Sequence, residues 1–261
     1  MTRTSAHPRA AIVTGAASGI GRATVERLVD LGTSVVAVGL HRDRFDWVAA
    51  AGLSDSVEIV EGDVTGDRTN TDAVAAALER FGRLDVAVFN AGVSMSGDLL
   101  DLPIEEFDRA MAVNVRAVAL GIRAVVPQMR LAGAGRIVVT ASTSGIAGDP
   151  NMWAYNTSKG AVLNLVRAAA VDLGPDNITV NAVCPGPTET EMTSRLKALP
   201  TIHEQLRRNI PLQRWGSAAE IAAVIAFLAS SDASFVNGAI VPVDGGITAN
   251  TGQFTPRAAR L

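Results

Sequence analysis

Cysteine is almost absent from this 261-residue chain. Cys184 stands alone, so no disulfide can form within the chain, and a reducing, cytoplasmic setting is expected. Histidine is nearly as scarce: His7, His41 and His203 share no paired ligand spacing with one another or with Cys184, so no metal site is expected. Long hydrophobic runs are missing too. The most continuous apolar stretch, 221–229, is half of the roughly 20 residues that cross a bilayer. Residues 1–10 carry charges where a secretory leader has an apolar segment, so neither membrane insertion nor secretion is expected. There is no excess of positive charge: 23 basic and 26 acidic side chains give a net charge of −3, which offers no cationic face to nucleic acid or anionic lipid. Aromatic residues make up only 4% of a chain that is 48% hydrophobic, so Ala, Val, Leu and Ile supply the apolar content. That is the filling of sheet-and-helix cores, and it excludes disorder as the main state.

What is present is a rhythm of short β-branched runs and longer Ala/Leu-rich segments, the signature of βα units building a parallel sheet. Strands are predicted at 11–14, 35–38, 57–60, 86–90, 136–141, 179–183 and 240–243, each a nearly unbroken apolar run as strands covered on both faces require. Helices are predicted at 20–31, 71–81, 104–130, 152–173 and 218–228, with Gly32, Gly82 and Gly174 as left-handed caps. Pro127 removes a backbone donor near the end of the long 104–130 segment, so a bend is expected there. No linker, repeat or low-complexity tract interrupts the pattern. The expected fold is α/β: one Rossmann-type, doubly wound domain over 1–261, with about seven parallel strands. The irregular, Pro- and Thr-rich stretch at 185–211 is expected to cover a ligand.

The segment Thr14-Gly15-Ala16-Ala17-Ser18-Gly19-Ile20-Gly21 follows a predicted strand and opens a helix, the context a nucleotide-binding turn needs. Gly15 permits a sharp exit from the strand, Gly19 lets backbone approach a pyrophosphate, and Gly21 allows close helix–strand packing. Ser18 and Ile20 lie in the same turn. Asp63-Val64 and Asn90-Ala91-Gly92 end the third and fourth strands, on the carboxyl edge where open α/β sheets bind ligands. Alone, Asp63 also suits a helix N-cap and Gly92 a tight turn.

Tyr155 and Lys159 are four residues apart, hence on one helical face, where a cation favours phenolate over phenol. A tyrosine titrates near pH ~10 unperturbed, so acid/base work near neutrality requires such a neighbour. Ser142, thirteen positions earlier, puts a hydroxyl at the sheet edge, and Asn114 lies within the preceding helix.

Together these residues resemble the short-chain dehydrogenase/reductase family, in its compact single-domain branch, over roughly 9–249. The resemblance matches the family's glycine turn to Thr14–Gly21, its adenine-contacting acid to Asp63, its Asn-Ala-Gly to Asn90–Gly92, and its tetrad to Asn114, Ser142, Tyr155 and Lys159. It also matches the nicotinamide-holding Pro-Gly segment to Pro185, Gly186, Thr188 and Thr190, and the family's ending to Asp244-Gly245-Gly246. It implies hydride transfer between a nicotinamide cofactor and a small secondary alcohol, sugar or ketone. On that basis Tyr155 is the general acid/base, Ser142 anchors the reacting oxygen, Lys159 binds ribose and lowers the tyrosine pKa, and Asn114 holds a relay water. Relatives commonly form tetramers, so the resemblance implies a homotetramer built through helices near 104–130 and 152–173. The tail at 251–261, with Gln253 and Phe254, is expected either to reach a neighbouring subunit's pocket or to be disordered.

The position where NAD-preferring relatives carry an acid falls on Gly39. With that repulsion gone and His41 and Arg42 close by, NADP is favoured, with NAD or dual use open. His41 and Arg42 also fit an ordinary loop charge pair. Ser94, Thr143, Asn151, Met152, Trp153 and Met192 are expected near the substrate, together with Ser142 and with Leu196 on the covering segment, whereas Trp215 is expected to be structural. A non-catalytic dinucleotide sensor is the alternative: it would keep the glycine turn but need neither Tyr155 nor Lys159.

Overall fold

The computed structural model describes residues 9–251; His7 and the Gln253-Phe254 pair lie outside them. β1 (Ala10–Thr14) leads through the glycine turn into α1 (Gly19–Asp30), then β2 (Ser34–Gly39), the short α2 (Asp46–Ala50), β3 (Val57–Glu61), α3 (Asp67–Phe81) and β4 (Val86–Phe89). The second half runs α4 (Ile104–Met111), α5 (Ala117–Ala132), β5 (Gly135–Thr140), α6 (Trp153–Leu173) and β6 (Ile178–Pro185). After it come the two-residue β7 (Thr188–Glu189), α7 (Ser194–Lys197), α8 (Pro200–Asn209), the two-residue β8 (Gly216–Ser217), α9 (Ala218–Leu228) and β9 (Ile240–Val243).

Seven strands form one parallel sheet in the order β3-β2-β1-β4-β5-β6-β9, while β7 pairs with β8 outside it. Alternation along each strand divides the core in two. Ile12, Val36 and Val38 face one side, under Ala77 of α3, Val125 of α5 and Val166 of α6. Val13, Val35 and Ala37 face the other, under Val25 of α1, Val48 of α2 and Ile225 of α9. The strand order reverses between β1 and β4, so the connections leaving these two strands part there and open a cleft at the carboxyl edge.

The seven predicted strands all form, with ends shifted by a residue or two. Three local expectations are corrected. The 104–130 segment is interrupted not at Pro127, which sits inside α5, but at Ala112–Arg116, a π-helical turn centred on Asn114. Gly174 is right-handed and opens a 3-10 turn over Gly174–Asp176, and Asn177 takes the left-handed position instead, with φ 58°. The 185–211 stretch carries the helix α8, whose sequence is mostly polar and whose Pro200 stands at its first turn. The run Ile104–Ala132 is long and apolar enough to cross a membrane by length and composition. Its Val118, Ile122, Val125 and Met129 are nevertheless built into the sheet's core.

Candidate active site

The glycine turn is held by neighbours that leave no room for side chains. A Cβ on Gly21 would lie 2.1 Å from the Gly15 carbonyl oxygen, and one on Gly15 2.8 Å from Ala91 Cα. Asn90 Nδ2 donates to the carbonyls of Thr14 and Gly15 at 3.2 Å each, while the Thr14 hydroxyl accepts from the Asn90 and Ala91 amides. Asn90 therefore clamps the turn from the β4 side. Ser18 caps α1 without a side-chain hydrogen bond, and the first turn of α1 carries no acid, so its amide groups are left to the cleft. This arrangement fits a dinucleotide's pyrophosphate.

Beneath the turn, the catalytic candidates are brought together by close packing of two segments. After β5, residues Thr143–Gly145 make a 3-10 turn capped by the Ser142 hydroxyl, which accepts from the Ser144 amide at 3.1 Å. Gly145 lies directly on α6: a Cβ there would be 2.7 Å from the Lys159 carbonyl carbon. This contact seats Ser142 beside Tyr155 in the same cleft, where the serine hydroxyl favours the phenolate. Lys159 is buried, with Nζ donating to the Thr140 carbonyl at 2.9 Å and lying 5.8 Å from the Tyr155 ring centre. Desolvation lowers its pKa to about 8.

The expected lowering of the Tyr155 pKa is not what these residues produce by themselves. Desolvation in the cleft raises it, Ser142 pulls it down, and the charge of Asp149 pushes it further up. The lysine's charge is directed at Thr140 rather than at the phenol. Asn114 is buried below the cleft, with Oδ1 accepting from Val93 N and Nδ2 donating to Val93 O and Ser158 Oγ. Both amide protons are therefore in use, and a relay water would have to bind the main chain or the remaining lone pair of Oδ1.

All of this lines or underlies one cleft of about 670 Å³. Over residues 15–248 the chain matches the family model described as enoyl-(acyl carrier protein) reductase. It is 44% identical to 2-(R)-hydroxypropyl-CoM dehydrogenase of Xanthobacter autotrophicus, over 92% of this chain and 99% of that protein. It is 38% identical to meso-2,3-butanediol dehydrogenase of Serratia marcescens, over 93% and 95%. The crystal structure of levodione reductase superposes with a TM-score of 0.88 at 37% identity, covering 92% of this chain and 98% of that one. The chain belongs to the short-chain dehydrogenase/reductase family.

Most of the anticipated residues of this dehydrogenase/reductase line the cleft. Gly15, Ser18, Gly19 and Ile20 do so on the turn, Asp63, Val64, Ala91 and Gly92 after β3 and β4, and Pro185, Gly186, Thr188 and Thr190 after β6. Asp63 Oδ1 accepts from the amide and hydroxyl of Thr65, and the N-cap of α3 is Gly66, so Asp63 does not cap the helix. Ser94, Thr143, Met192 and Leu196 also line it.

Asn151, Met152 and Trp153 do not. Asn151 takes φ 57° with its carbonyl on Gly97 N, Met152 caps α6, and the Trp153 ring stacks on Phe107 with centres 5.4 Å apart. The turn into α6 presents Asp149 to the cleft instead. Arg42 also departs from expectation: its guanidinium donates to the Ile59 carbonyl, and it is Arg44, two residues on and paired with Glu191 at 2.5 Å, that lines the cleft from this loop. Gly39 and His41 line the cleft as anticipated, and Phe45 explains the glycine, since a Cβ on Gly39 would lie 2.8 Å from that buried ring. Trp215 has two roles, stacking on His203 and lining the cleft.

Proposed function

We propose that this protein is an NAD(P)-dependent oxidoreductase interconverting a small secondary alcohol and its ketone, with Tyr155 as general acid/base. The observation that carries the reading is the convergence of Ser142, Tyr155 and Lys159 in the cleft that begins at the glycine turn. The names of its relatives, dehydrogenases of hydroxypropyl-CoM and butanediol and a levodione reductase, support the same chemistry. A bound nicotinamide supplies the hydride donor or acceptor. Ser142 holds the reacting oxygen by a hydrogen bond. Tyr155 takes the alcohol proton in oxidation and returns it in reduction. Lys159 sits where its charge favours phenolate once ribose hydroxyls share its protons, and Asn114 positions α6 through Ser158.

One domain spans the chain, with 185–211 covering the cleft through Met192, Leu196 and Leu206. Cofactor choice turns on Arg44, the arginine of the loop after the acid-free Gly39 that lines the cleft. NADP requires that Arg44 leave Glu191, whereas NAD does not. Apolar side chains exposed at Ile104, Leu131 and Val171 support a homotetramer formed through α4, α5 and α6, and light scattering at a monomer mass would contradict it. The single free cysteine supports a cytoplasmic location, which fractionation of the native host tests. The function is tested by nicotinamide absorbance during incubation with secondary alcohols and ketones. Turnover in either direction is expected; dinucleotide binding without any turnover would instead identify a sensor.

A further inference from the structure

We infer that Asp149 binds a second oxygen of the substrate, so that the enzyme selects neutral alcohols or ketones carrying a hydroxyl next to the reacting carbon and rejects anionic ones. The inference rests on the oxidoreductase reading and names its substrate class.

Asp149 lines the cleft together with Ser142 and Tyr155. Its Oδ2 accepts from the Ser144 hydroxyl at 2.5 Å, and the amide of Ser144 donates to Ser142 Oγ at 3.1 Å. The carboxylate is therefore one residue removed from the hydroxyl that holds the reacting oxygen. Its backbone is fixed as well, because Asn156, next to Tyr155 on α6, donates to the Asp149 carbonyl at 2.9 Å. Among the described residues no cation pairs with this carboxylate, and Ser144 is its one side-chain partner. Among the described residues, two cations near the mouth are paired with other acids: Arg44 with Glu191, and Arg109 with Glu106.

A carboxylate is an acceptor only, and after Ser144 it retains lone pairs directed by a fixed backbone. What complements it is a donor, and the rest of the wall says what carries that donor. Met192, Leu196, Leu206 and Trp215 offer apolar surface for a small carbon skeleton. A hydroxyl on the carbon adjacent to the reacting one meets both demands, as in a vicinal diol or a hydroxy ketone. A substrate carboxylate at the same place would face an unneutralised negative charge inside the cleft. Asp149 is exposed in the open cleft, so discrimination against an analogue that lacks the hydroxyl comes from the charge-assisted hydrogen bond that this analogue cannot make.

The test compares kcat/KM for vicinal cyclopentanediol, cyclopentanol and hydroxycyclopentanecarboxylate in the wild type, Asp149→Ala and Asp149→Asn. The wild type is expected to prefer the diol over cyclopentanol by about tenfold or more, the scale of one charge-assisted hydrogen bond. Asp149→Ala should bring that ratio close to one. Asp149→Asn, which keeps an acceptor oxygen but no charge, should keep part of the diol preference and gain about tenfold on the carboxylate. Turnover with a diol ratio that Asp149→Ala leaves unchanged overturns the assignment alone. A wild type that binds dinucleotide yet turns over none of the three probes, nor any of a wider alcohol and ketone panel, overturns the oxidoreductase reading and this inference with it.

Discussion

Replacing Lys159 with Met should make the protein more stable and inactive at once. The amine is 4% exposed, and burial depresses its pKa from 10.5 to about 8. Each pH unit of that depression corresponds to about 1.4 kcal/mol, so the buried cation costs the fold about 3 kcal/mol. The sign follows from which state holds the proton. Below about pH 8 the amine is charged in both the folded and unfolded states, and the full cost is present. Between about 8 and 10.5 the folded state gives up its proton first, and the cost fades. Methionine fills a similar volume without charge but leaves the Thr140 carbonyl without its donor, a loss of about 1 kcal/mol. The net gain is about 2 kcal/mol at neutral pH, or about 4–8 °C in Tm for a domain of this size. Calorimetric melting of both proteins at neutral pH and near pH 10.5 measures it, with turnover measured on the same samples. The variant should melt higher at neutral pH and lose that advantage at alkaline pH, with turnover down by about a hundredfold or more. A variant that melts lower at neutral pH, or whose gap to wild type is equal at both pH values, would refute the reasoning.

Tyr155→Phe removes only the ionisable hydroxyl, so kcat should fall by about 10²–10⁴ while dinucleotide affinity, read by titration calorimetry, stays within about threefold. Gly39→Asp alone should lower Tm, because its Cβ meets the Phe45 ring at 2.8 Å. A shift toward NAD should need the double variant with Phe45→Leu, and a shift in the single variant without loss of stability would count against the packing described. Arg44→Ala should weaken NADP relative to NAD by about tenfold and Glu191→Gln should strengthen it; equal dissociation-constant ratios in all three proteins would remove Arg44 from the cofactor site. Gly21→Ala should abolish dinucleotide binding or folding, since its methyl would overlap the Gly15 carbonyl, and near-wild-type binding would contradict the turn geometry.

The strands were readable because strands covered on both faces are continuous apolar runs, and the glycine turn because its position after β1 gives it meaning. Ser142, Tyr155 and Lys159 were readable as a spacing, but the contact that joins them, Gly145 against the Lys159 backbone, has no local signature. Asp149, and not its neighbours Asn151, Met152 and Trp153, lines the cleft. Which residue of a turn faces a cleft depends on backbone dihedrals such as the positive φ of Asn151, and composition does not carry these. Arg44 and Glu191 meet across 147 positions of chain, a distance that only the folded covering segment closes. The sign of the Tyr155 shift is not legible in the sequence for a related reason: helical spacing puts the cation on the right face, whereas burial and the Thr140 carbonyl decide where its charge acts.

Isotope transfer reaches the central claim most directly. A secondary alcohol deuterated at its carbinol carbon, incubated with oxidised dinucleotide and wild-type enzyme, should deliver deuterium to the nicotinamide ring, visible by NMR, and Tyr155→Phe should deliver almost none in the same time. Absence of transfer by the wild type, or equal transfer by both proteins, would contradict the account.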